Sequence, residues 1–377
     1  MSLFTPTALP PRILALLCCT ALAGCSLPRG AAIQSEIVGS AQSESRNIEV
    51  VPVTQTNLPR IAAWPVPARA GDLPGGWSGG GQGSSSQVIA TGDTVALTIW
   101  ENDENALLTA PTQKAVPISA LTVSPAGNIH VPYVGQVRVR GMTPEQARDE
   151  IQKQVDAVLT AAQVQLSVQA GRQNTIDLVG GVAKAGSYPL PDRNFTVLSL
   201  ISAGGGVSPA LKNPQIKLVR GGKVRSTSVA ALFDNPARDA VLRGGDKVIV
   251  EEDARHFLAL GAASKQEIIP FPKDALSALD AVSLIGGVQS GRANPGGVLV
   301  LREYPATMVR ADGSGPDRNR VVFTIDLTSA DGLFSARNFR IQSEDLVLVT
   351  ESPVNSLRTV IGLIGQGVGV SNALSSE

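Results

Sequence analysis

Cysteine and histidine are scarce in this chain of 377 residues, and their scarcity excludes several kinds of site. Cys18 and Cys19 lie in an apolar N-terminal run that is expected to be removed, so Cys25 would remain as the only cysteine. A single cysteine forms neither an intramolecular disulfide nor a cysteine metal site. His130 and His256 lack the spacing of a zinc site or a catalytic triad. We therefore expect structural histidines, no metal and no cofactor.

Neither sign of charge is in excess, and aromatic residues make up only 4% of the chain. The 32 basic and 32 acidic residues form no strongly basic stripe, which argues against a nucleic-acid partner. A cluster of acids at a predicted strand end comprises Asp93, Glu101, Asp103 and Glu104. Two such carboxylates would suffice for a glycoside hydrolase or lyase, which is the enzymatic alternative. Because no aromatic-rich cleft accompanies them, we expect no catalytic residues.

The chain also lacks a long hydrophobic run, since the apolar stretch near the N terminus covers only Ile13–Ala23. This stretch is too short to cross a hydrocarbon core roughly 30 Å thick, so a cleaved export signal fits better than a permanent anchor. The sequence Leu-Ala-Gly-Cys at 22–25 resembles a bacterial lipoprotein signal. Residues 1–24 would then be removed and Cys25 acylated, while Ser26 favours the outer membrane. An ordinary secretory signal with a chance cysteine is the alternative.

Residues 25–86 are rich in proline, glycine and serine, which predicts an extended, partly flexible leader. Regular structure is expected to begin near Val88, because Thr94–Trp100 alternates in the manner of a half-buried strand. Two further short strands are expected around a turn at Gly127–Asn128, and they extend to Gly135.

A helix is predicted over Thr143–Leu159. Thr143 is placed as the N-cap, Pro144 occupies the first helical position, and Gln146 can complete a capping box. Apolar residues recur at helical spacing through this segment, and strand alternation resumes at Val164–Val168. Residues 87–171 are therefore predicted to form a small α+β domain.

An internal repeat follows this domain, because a set of residues recurs 81 positions later. The pairs are Gly180 and Gly261, Lys184 and Lys265, Pro189 and Pro270, Leu198 and Leu279, Ser202 and Ser283, Gly205 and Gly286, Gly206 and Gly287, Val207 and Val288, and Leu218 and Leu299. A later pair, Asp246–Val250 and Asp345–Val349, is offset by 99, which predicts an insertion of 18 residues near Tyr304–Arg320. Residues 172–253 and 254–351 are thus predicted to be two copies of one α+β module.

Paired glycines follow the predicted short helix of each copy, at Gly205–Gly206 and at Gly286–Gly287. Phosphate sites use helix N-termini, whereas a helix C-terminus carries partial negative charge. We therefore interpret both pairs as left-handed C-caps rather than as a phosphate cradle. The other residues assigned to structural turns are Gly92, Asp93, Gly127 and Gly135.

The C-terminal segment, residues 352–377, is predicted to form an amphipathic helix. Its apolar face, which would contact lipid, comprises Val354, Leu357, Val360, Ile361, Ile364 and Val368. Such a helix is just long enough to span a membrane, although its glycines weaken it. A short helix that docks on the last repeat or lies at the membrane surface is the alternative.

The order of these features resembles the outer-membrane polysaccharide export family. The features are the lipoprotein signal, the proline-rich leader, the strand that follows Gly92–Asp93, the stretch from Val123 to Gly135, the helix after Thr143 and the two repeats. The resemblance covers about residues 88–350. It implies a polysaccharide export domain at 87–171 and two soluble-ligand-binding β-grasp modules at 172–253 and 254–351.

The resemblance further implies a lipid-anchored outer-membrane protein with a large periplasmic part. Its copies would assemble as a ring, commonly an octamer, that encloses the channel through which capsular or extracellular polysaccharide leaves the periplasm. One C-terminal helix per subunit would form an α-helical barrel through the outer membrane. Its other partners would be outer-membrane lipids and an inner-membrane polysaccharide co-polymerase with tyrosine-kinase or chain-length function. Such a protein performs no chemistry. The alternative is a monomeric lipoprotein whose modules hold a soluble ligand or a glycan.

Overall fold

The computed structural model describes residues 31–43, 47–67, 76–80, 88–101, 115–159, 162–289 and 291–354. The chain divides into two compact units. The first-repeat unit comprises Ala70–Arg255 and Pro270–Asp274, and the second-repeat unit comprises Met1–Arg69, His256–Ile269 and Ala275–Glu377. Both helices and strands are present, which confirms the predicted α+β class.

Much of the leader is folded, so the expectation that regular structure begins near Val88 is wrong. Helix α1 (Gln34–Ser43), strand β1 (Ile48–Pro52) and helix α2 (Leu58–Ala62) belong to the second-repeat unit. Strand β1 pairs in parallel with residues 320–324. Side chains buried from this segment include Val51, Val53, Ile61 and Trp64. Composition did not reveal this, because the strand that pairs with β1 lies far away in the sequence.

The described residues between 88 and 169 contain the helix and the strands of a small α+β arrangement within the first-repeat unit, here called the small domain. Its elements are β2 (Thr94–Glu101), β3 (Ala115–Thr122), β4 (Asn128–Val131), β5 (Gly135–Arg138), α3 (Pro144–Asp156) and β6 (Ala162–Gln169). Strand β2 is the centre of an antiparallel sheet in the order β3-β2-β6, and β4 pairs with β5. One core joins the alternating side chains of β2 to α3, and its members include Val95, Leu97, Ile99, Ala147, Ile151 and Val155.

Two local predictions in this domain, the capping box of α3 and the turn at Gly127–Asn128, had different outcomes. The capping box is confirmed, because Gln146 N donates to Thr143 Oγ1 at 3.2 Å and Thr143 N donates to Gln146 Oε1 at 3.1 Å. The turn at Gly127–Asn128 joins β3 to β4, but these strands do not pair with each other. Strand β4 pairs with β5 instead, because positive φ angles at Tyr133 (66°) and Gly135 (98°) reverse the chain there.

The first repeat forms a five-stranded mixed sheet. Its elements are β7 (Thr175–Gly180), β8 (Gly186–Pro189), α4 (Val197–Ala203), β9 (Gln215–Arg220), β10 (Lys223–Ser228), α5 (Val229–Asp234) and β11 (Lys247–Glu251). The strand order is β10-β9-β11-β7-β8. Strands β11 and β7 are parallel, and the remaining neighbours are antiparallel. Strands β9 and β10 form a tight hairpin, because Gly221 and Gly222 both adopt positive φ.

The second repeat has the same sheet order with one strand added. Its elements are β12 (His256–Gly261), β13 (Ile268–Pro270), β14 (Leu276–Ser277), α6 (Ala278–Leu284), β15 (Ala293–Glu303), β16 (Arg320–Ile325), α7 (Ala330–Asn338), β17 (Arg340–Ile341) and β18 (Leu346–Glu351). The order is β1-β16-β15-β18-β12-β13. The leader strand β1 therefore occupies the edge that corresponds to the outer side of β10.

Strand register corrects one part of the repeat. Val248 of β11 pairs with Leu218, and its counterpart Val347 of β18 pairs with Val300. Leu218 therefore corresponds to Val300, an offset of 82, and its predicted equivalence to Leu299 is wrong by one residue. A register shift within β15, between Ala293 and Val298, makes such a single-residue offset invisible to sequence comparison. The predicted insertion lies between β15 and β16, at residues 304–319.

Candidate functional site where the N- and C-terminal segments meet

The last strand of the second repeat is joined by the start of the leader. Ile33 forms a parallel bridge with Glu351, and Glu351 N donates to Ala32 O at 3.1 Å. Arg292 Nη2 donates to Glu351 Oε1 at 3.1 Å, and Ser352 N donates to Arg292 O at 2.8 Å. Glu351 is 5% exposed. The first and last described segments of the chain therefore meet at this residue.

Most of the residues predicted to act at a membrane lie outside the described residues. They are Cys25, Leu357, Val360, Ile361, Ile364 and Val368. Val354, which belongs to the same predicted apolar face, is described and is 56% exposed. Within the described ranges, no helix is both long enough and apolar enough to span a membrane.

Three strands begin after the same aspartate turn. The carboxylates of Asp93, Asp246 and Asp345 each accept a hydrogen bond from the backbone N–H three residues earlier, at 2.8, 2.7 and 2.8 Å. The residue before each aspartate has a positive φ, namely Gly92 (85°), Gly245 (83°) and Glu344 (65°). The predicted turn residues Gly92 and Asp93 thus belong to a motif that recurs in the small domain and in both repeats.

An arginine closes this turn in each repeat. Arg302 donates to Asp345 from Nε at 2.8 Å and from Nη2 at 2.7 Å, and Arg220 donates to Asp246 in the same way at 2.8 and 2.5 Å. The Arg302 side chain is 3% exposed, whereas the Arg220 side chain is 27% exposed. Burial opposes the charged form, but the Asp345 carboxylate outweighs burial and raises the pKa of Arg302. The second repeat therefore contains an ion pair that is sealed from water.

The acids considered for an enzyme do not form an open carboxylate pair among the described side chains. Asp93 is fully buried, and its oxygens also accept hydrogen bonds from Gly171 N and Asn174 Nδ2, each at 2.7 Å. The side chain of Glu101, and Asp103 and Glu104, lie outside the described residues. Of the two histidines, His130 is exposed on β4 and His256 is half-buried on β12. In the part of the chain that the structure describes, no three side chains of the metal-binding types are grouped.

The paired glycines end helices α4 and α6. Gly206 N donates to Ile201 O and Gly205 N donates to Ser202 O, and the second repeat has the same two bonds from Gly287 and Gly286. All four glycines have φ between 75° and 86°. These bonds are those of a Schellman cap, which satisfies the last carbonyl groups of a helix. The other predicted turn glycines, Gly127 and Gly135, have φ of 90° and 98°.

The sequence did not predict a cluster of hydrogen-bond donors around the Asp274 carboxylate in the first-repeat unit. Asp274 accepts hydrogen bonds from Ser228 Oγ and, at 3.2 Å each, from Asn213 Nδ2 and Gln215 Nε2. Burial alone would raise the pKa of Asp274, but these bonds and the charge of Arg255 outweigh burial and lower it. Asp274 lies beyond the first repeat in sequence, so no local pattern indicates that it completes that repeat.

Two exposed phenylalanines occupy equivalent positions in the repeats, and these also were missed. Phe233 on α5 is 67% exposed, and Phe334 on α7 is 56% exposed. Each lies five residues after a serine N-cap, Ser228 or Ser329. The pattern Ser-x-x-x-Leu-Phe is visible in both copies at an offset of 101, which a search at 81 overlooks. Exposed aromatic side chains of this kind are candidates for contact with another molecule.

The sequence of the small domain matches a family model. Residues 82–169 match the family described as polysaccharide biosynthesis/export protein. The predicted resemblance to polysaccharide export proteins is confirmed. The matched range contains the three-stranded sheet, the β4–β5 hairpin and α3. It also contains Asp93, the first of the three aspartate turns.

Curated relatives extend the similarity to both repeats. The chain is 24% identical over 372 residues to the capsule polysaccharide export outer membrane protein CtrA of Neisseria meningitidis serogroup B, covering 93% of each chain. It is 27% identical to the capsule polysaccharide export protein BexD of Haemophilus influenzae, covering 75% of this chain and 76% of the relative. It is 29% identical to the EPS I polysaccharide export outer membrane protein EpsA of Ralstonia nicotianae, covering 73% and 74%. The names of these relatives describe export proteins rather than enzymes.

Proposed function

We propose that this chain is an outer-membrane lipoprotein that exports a capsular or extracellular polysaccharide from the periplasm to the cell surface. The observation that carries the proposal is the similarity, along 93% of the chain, to a capsule polysaccharide export protein of the outer membrane. The match of residues 82–169 to the export family supports the same function for the small domain.

Two chain segments meet at Glu351, and their proximity supports attachment of both to one membrane. Cys25, the proposed lipidation site, precedes Ala32 by seven residues, which span at most about 25 Å when fully extended. Ala32 bonds to Glu351, and the proposed amphipathic helix of residues 352–377 begins directly after it. An acyl chain and an amphipathic helix that start this close together would enter the same bilayer.

Assembly as a ring is the second part of the proposal. A lumen formed by several copies needs one interface repeated around a closed circle. The side chains of Phe233 and Phe334 are candidates for that interface. Both are exposed to water in the single subunit, and burying such large apolar side chains against a neighbouring copy would be favourable. The octameric number and the inner-membrane co-polymerase partner follow from the family resemblance.

The proposed mechanism is passage without bond-making. A sliding polymer needs weak, polar contacts with the wall rather than a tight pocket, and an aromatic content of 4% agrees with this requirement. If the chain instead cleaved its polymer, incubation of purified protein with exopolysaccharide would release new reducing ends. We expect none.

The deciding experiment is a mass measurement of the full chain in detergent. A ring predicts a particle whose mass is a multiple of the single acylated subunit, with a central opening in electron micrographs. The alternative, a monomeric glycan-binding lipoprotein, predicts a single subunit. Replacing both Phe233 and Phe334 with serine should weaken the ring without unfolding the subunit, because the two side chains are exposed.

Cellular tests address the two membrane-directed segments. Cys25→Ala should leave unacylated protein in the periplasm, and unchanged membrane fractionation would contradict the lipoprotein proposal. Deletion of residues 354–377 should abolish surface polysaccharide while the protein remains present. Normal surface polysaccharide in that strain would contradict a role of the segment in export.

A further inference from the structure

The second repeat contains an insertion that the first repeat lacks. Residues 304–319, here called the insertion, connect β15 to β16, whereas Gly221–Gly222 alone connect the equivalent strands β9 and β10. Two glycines are therefore enough to turn the chain at this place in the fold. The additional residues need another explanation, and their contacts provide one.

The insertion has a defined internal structure. Tyr304 N donates to Asn319 O at 2.6 Å and closes its base, and Arg310 N donates to Pro316 O at 2.9 Å and closes a smaller loop within it. At the tip, the Asp312 carboxylate accepts a hydrogen bond from Ser314 N at 2.9 Å. The insertion therefore presents backbone groups in fixed positions.

Those backbone groups contact the leader at two points. The indole Nε1 of Trp64 donates to Gly313 O at 3.2 Å, and Asp317 N donates to Glu49 Oε2 at 2.7 Å. Trp64 also packs edge-on against Tyr304, with ring centroids 6.1 Å apart, and is 5% exposed. Burial raises the pKa of the Glu49 carboxyl, more than the bond from Asp317 lowers it. The insertion thus contacts the leader at two places, on β1 at Glu49 and just after α2 at Trp64.

The two repeats provide a comparison within one molecule. Strand β16, which follows the insertion, pairs on its outer edge with the leader strand β1 over Ile48–Pro52. Strand β10 follows the two-glycine turn, and it has no added strand among the described residues. The insertion and the added strand therefore occur in the same repeat.

We infer that the insertion is a receptor for the leader, because it holds residues 31–43 and 47–67 on the second repeat and makes the edge of β16 a docking site for β1. This role does not depend on the export function. The occupant is the chain's own N-terminal segment, whose Ile33 also reaches β18. A pulling force applied at the N terminus would accordingly be transmitted to the second repeat through the β1–β16 pairing and the contacts between the leader and the insertion.

Backbone hydrogen exchange of the full chain in detergent tests the inference. Replacing residues 304–319 with Gly-Gly copies the turn of the first repeat into the second. We expect exchange of the amides at residues 48–53, which are those of all these residues except Pro52, to become at least roughly tenfold faster, because the added strand loses its two side contacts. The amides of Val298–Val300, which lie where β15 pairs with β18, should exchange as before and report that the repeat is folded. Unchanged exchange at 48–53 would overturn the inference.

A second variant decides the question if the first one unfolds. Trp64→Phe combined with Glu49→Ala leaves the insertion intact and removes both of the leader's contacts with its backbone. We expect roughly tenfold faster exchange at residues 48–53, with unchanged exchange at Val298–Val300. The matched control is Trp77→Phe, which removes an equivalent indole bond, of 2.7 Å to Arg238 O, in the first-repeat unit. No change in the double variant, or an equal change in the control, would refute a leader receptor.

Discussion

Replacing Arg302 with alanine should destabilise the second repeat by about 3 to 5 kcal/mol, because it leaves a buried carboxylate without its counter-charge. The Arg302 guanidinium makes two bonds to Asp345, one of 2.9 Å to Arg340 O and one of 3.3 Å to the Tyr304 hydroxyl. It also lies over the rings of Phe323 and Phe339, at 5.2 and 5.4 Å. The Asp345 side chain is 1% exposed, so water has no route to replace these contacts.

The first repeat supplies an internal comparison for this estimate. Arg220→Ala breaks the corresponding pair with Asp246, but Arg220 is 27% exposed and its removal opens a path for water to the carboxylate. Hydrogen bonds to a charged group contribute about 1.5 to 3 kcal/mol, and we expect a loss in that range. Arg320 and Glu303 form a surface pair with side chains 59% and 68% exposed, so Arg320→Ala should cost at most about 1 kcal/mol.

Native-state hydrogen exchange measures the three variants separately, because it reports each repeat through its own strands. Amides of β15 and β18 should lose protection by roughly two to four orders of magnitude in Arg302→Ala, which corresponds to the expected loss of about 3 to 5 kcal/mol. Amides of β9 and β11 should change less in Arg220→Ala. If Arg302→Ala cost no more than Arg320→Ala, the argument that the buried pair is sealed from water would be wrong.

Three further changes test the backbone and the titratable groups. Glu344→Gly should stabilise the second repeat by about 1 kcal/mol in thermal unfolding, because Glu344 has φ 65° at a position where the two other aspartate turns have glycine; a lower melting temperature would contradict this. Gly287→Ala should lower the free energy of unfolding by about 1 to 2 kcal/mol, from its φ of 75° alone. Gly261→Ala should lower it more, because the added Cβ would also collide with Val349 O. Equal losses in the two variants would refute the steric argument. The lowered pKa of Asp274 makes its contribution to stability complete above the pKa of the unfolded chain, about 3.9, and lost as pH falls through the lower folded value. Urea unfolding between pH 5 and 2 should therefore lose part of its pH dependence in Asp274→Asn, and an unaltered profile would contradict the assignment.

Features that depend on neighbouring residues were predictable from the sequence. The capping box of α3 involves Thr143 and Gln146, three residues apart, and its chemistry is fixed by that spacing. The alternation of Thr94–Trp100 likewise predicted β2, because the period of a strand is a local property. The repeat was visible for the same reason, since each copy carries its own turn and cap residues.

Features that depend on distant partners were not predictable in this way. The register of β15 required its pairing with β18, and the single-residue shift at Leu218 and Val300 changes no local pattern. Asp274 similarly completes a cluster with Ser228 that local sequence does not connect to it. Only the folded chain brings these groups together.

Sequence alone established the α+β class, the internal repeat, the capped helix and the resemblance to polysaccharide exporters, because each is encoded in short-range spacing or in the order of motifs. Tertiary structure alone decided that leader residues 31–43 and 47–67 are part of the second-repeat unit, through the pairing of β1 with β16 and the contact of the insertion with Trp64. Strand pairing is made by backbone groups that are the same in every residue, so a sequence specifies a strand more readily than it specifies the partner.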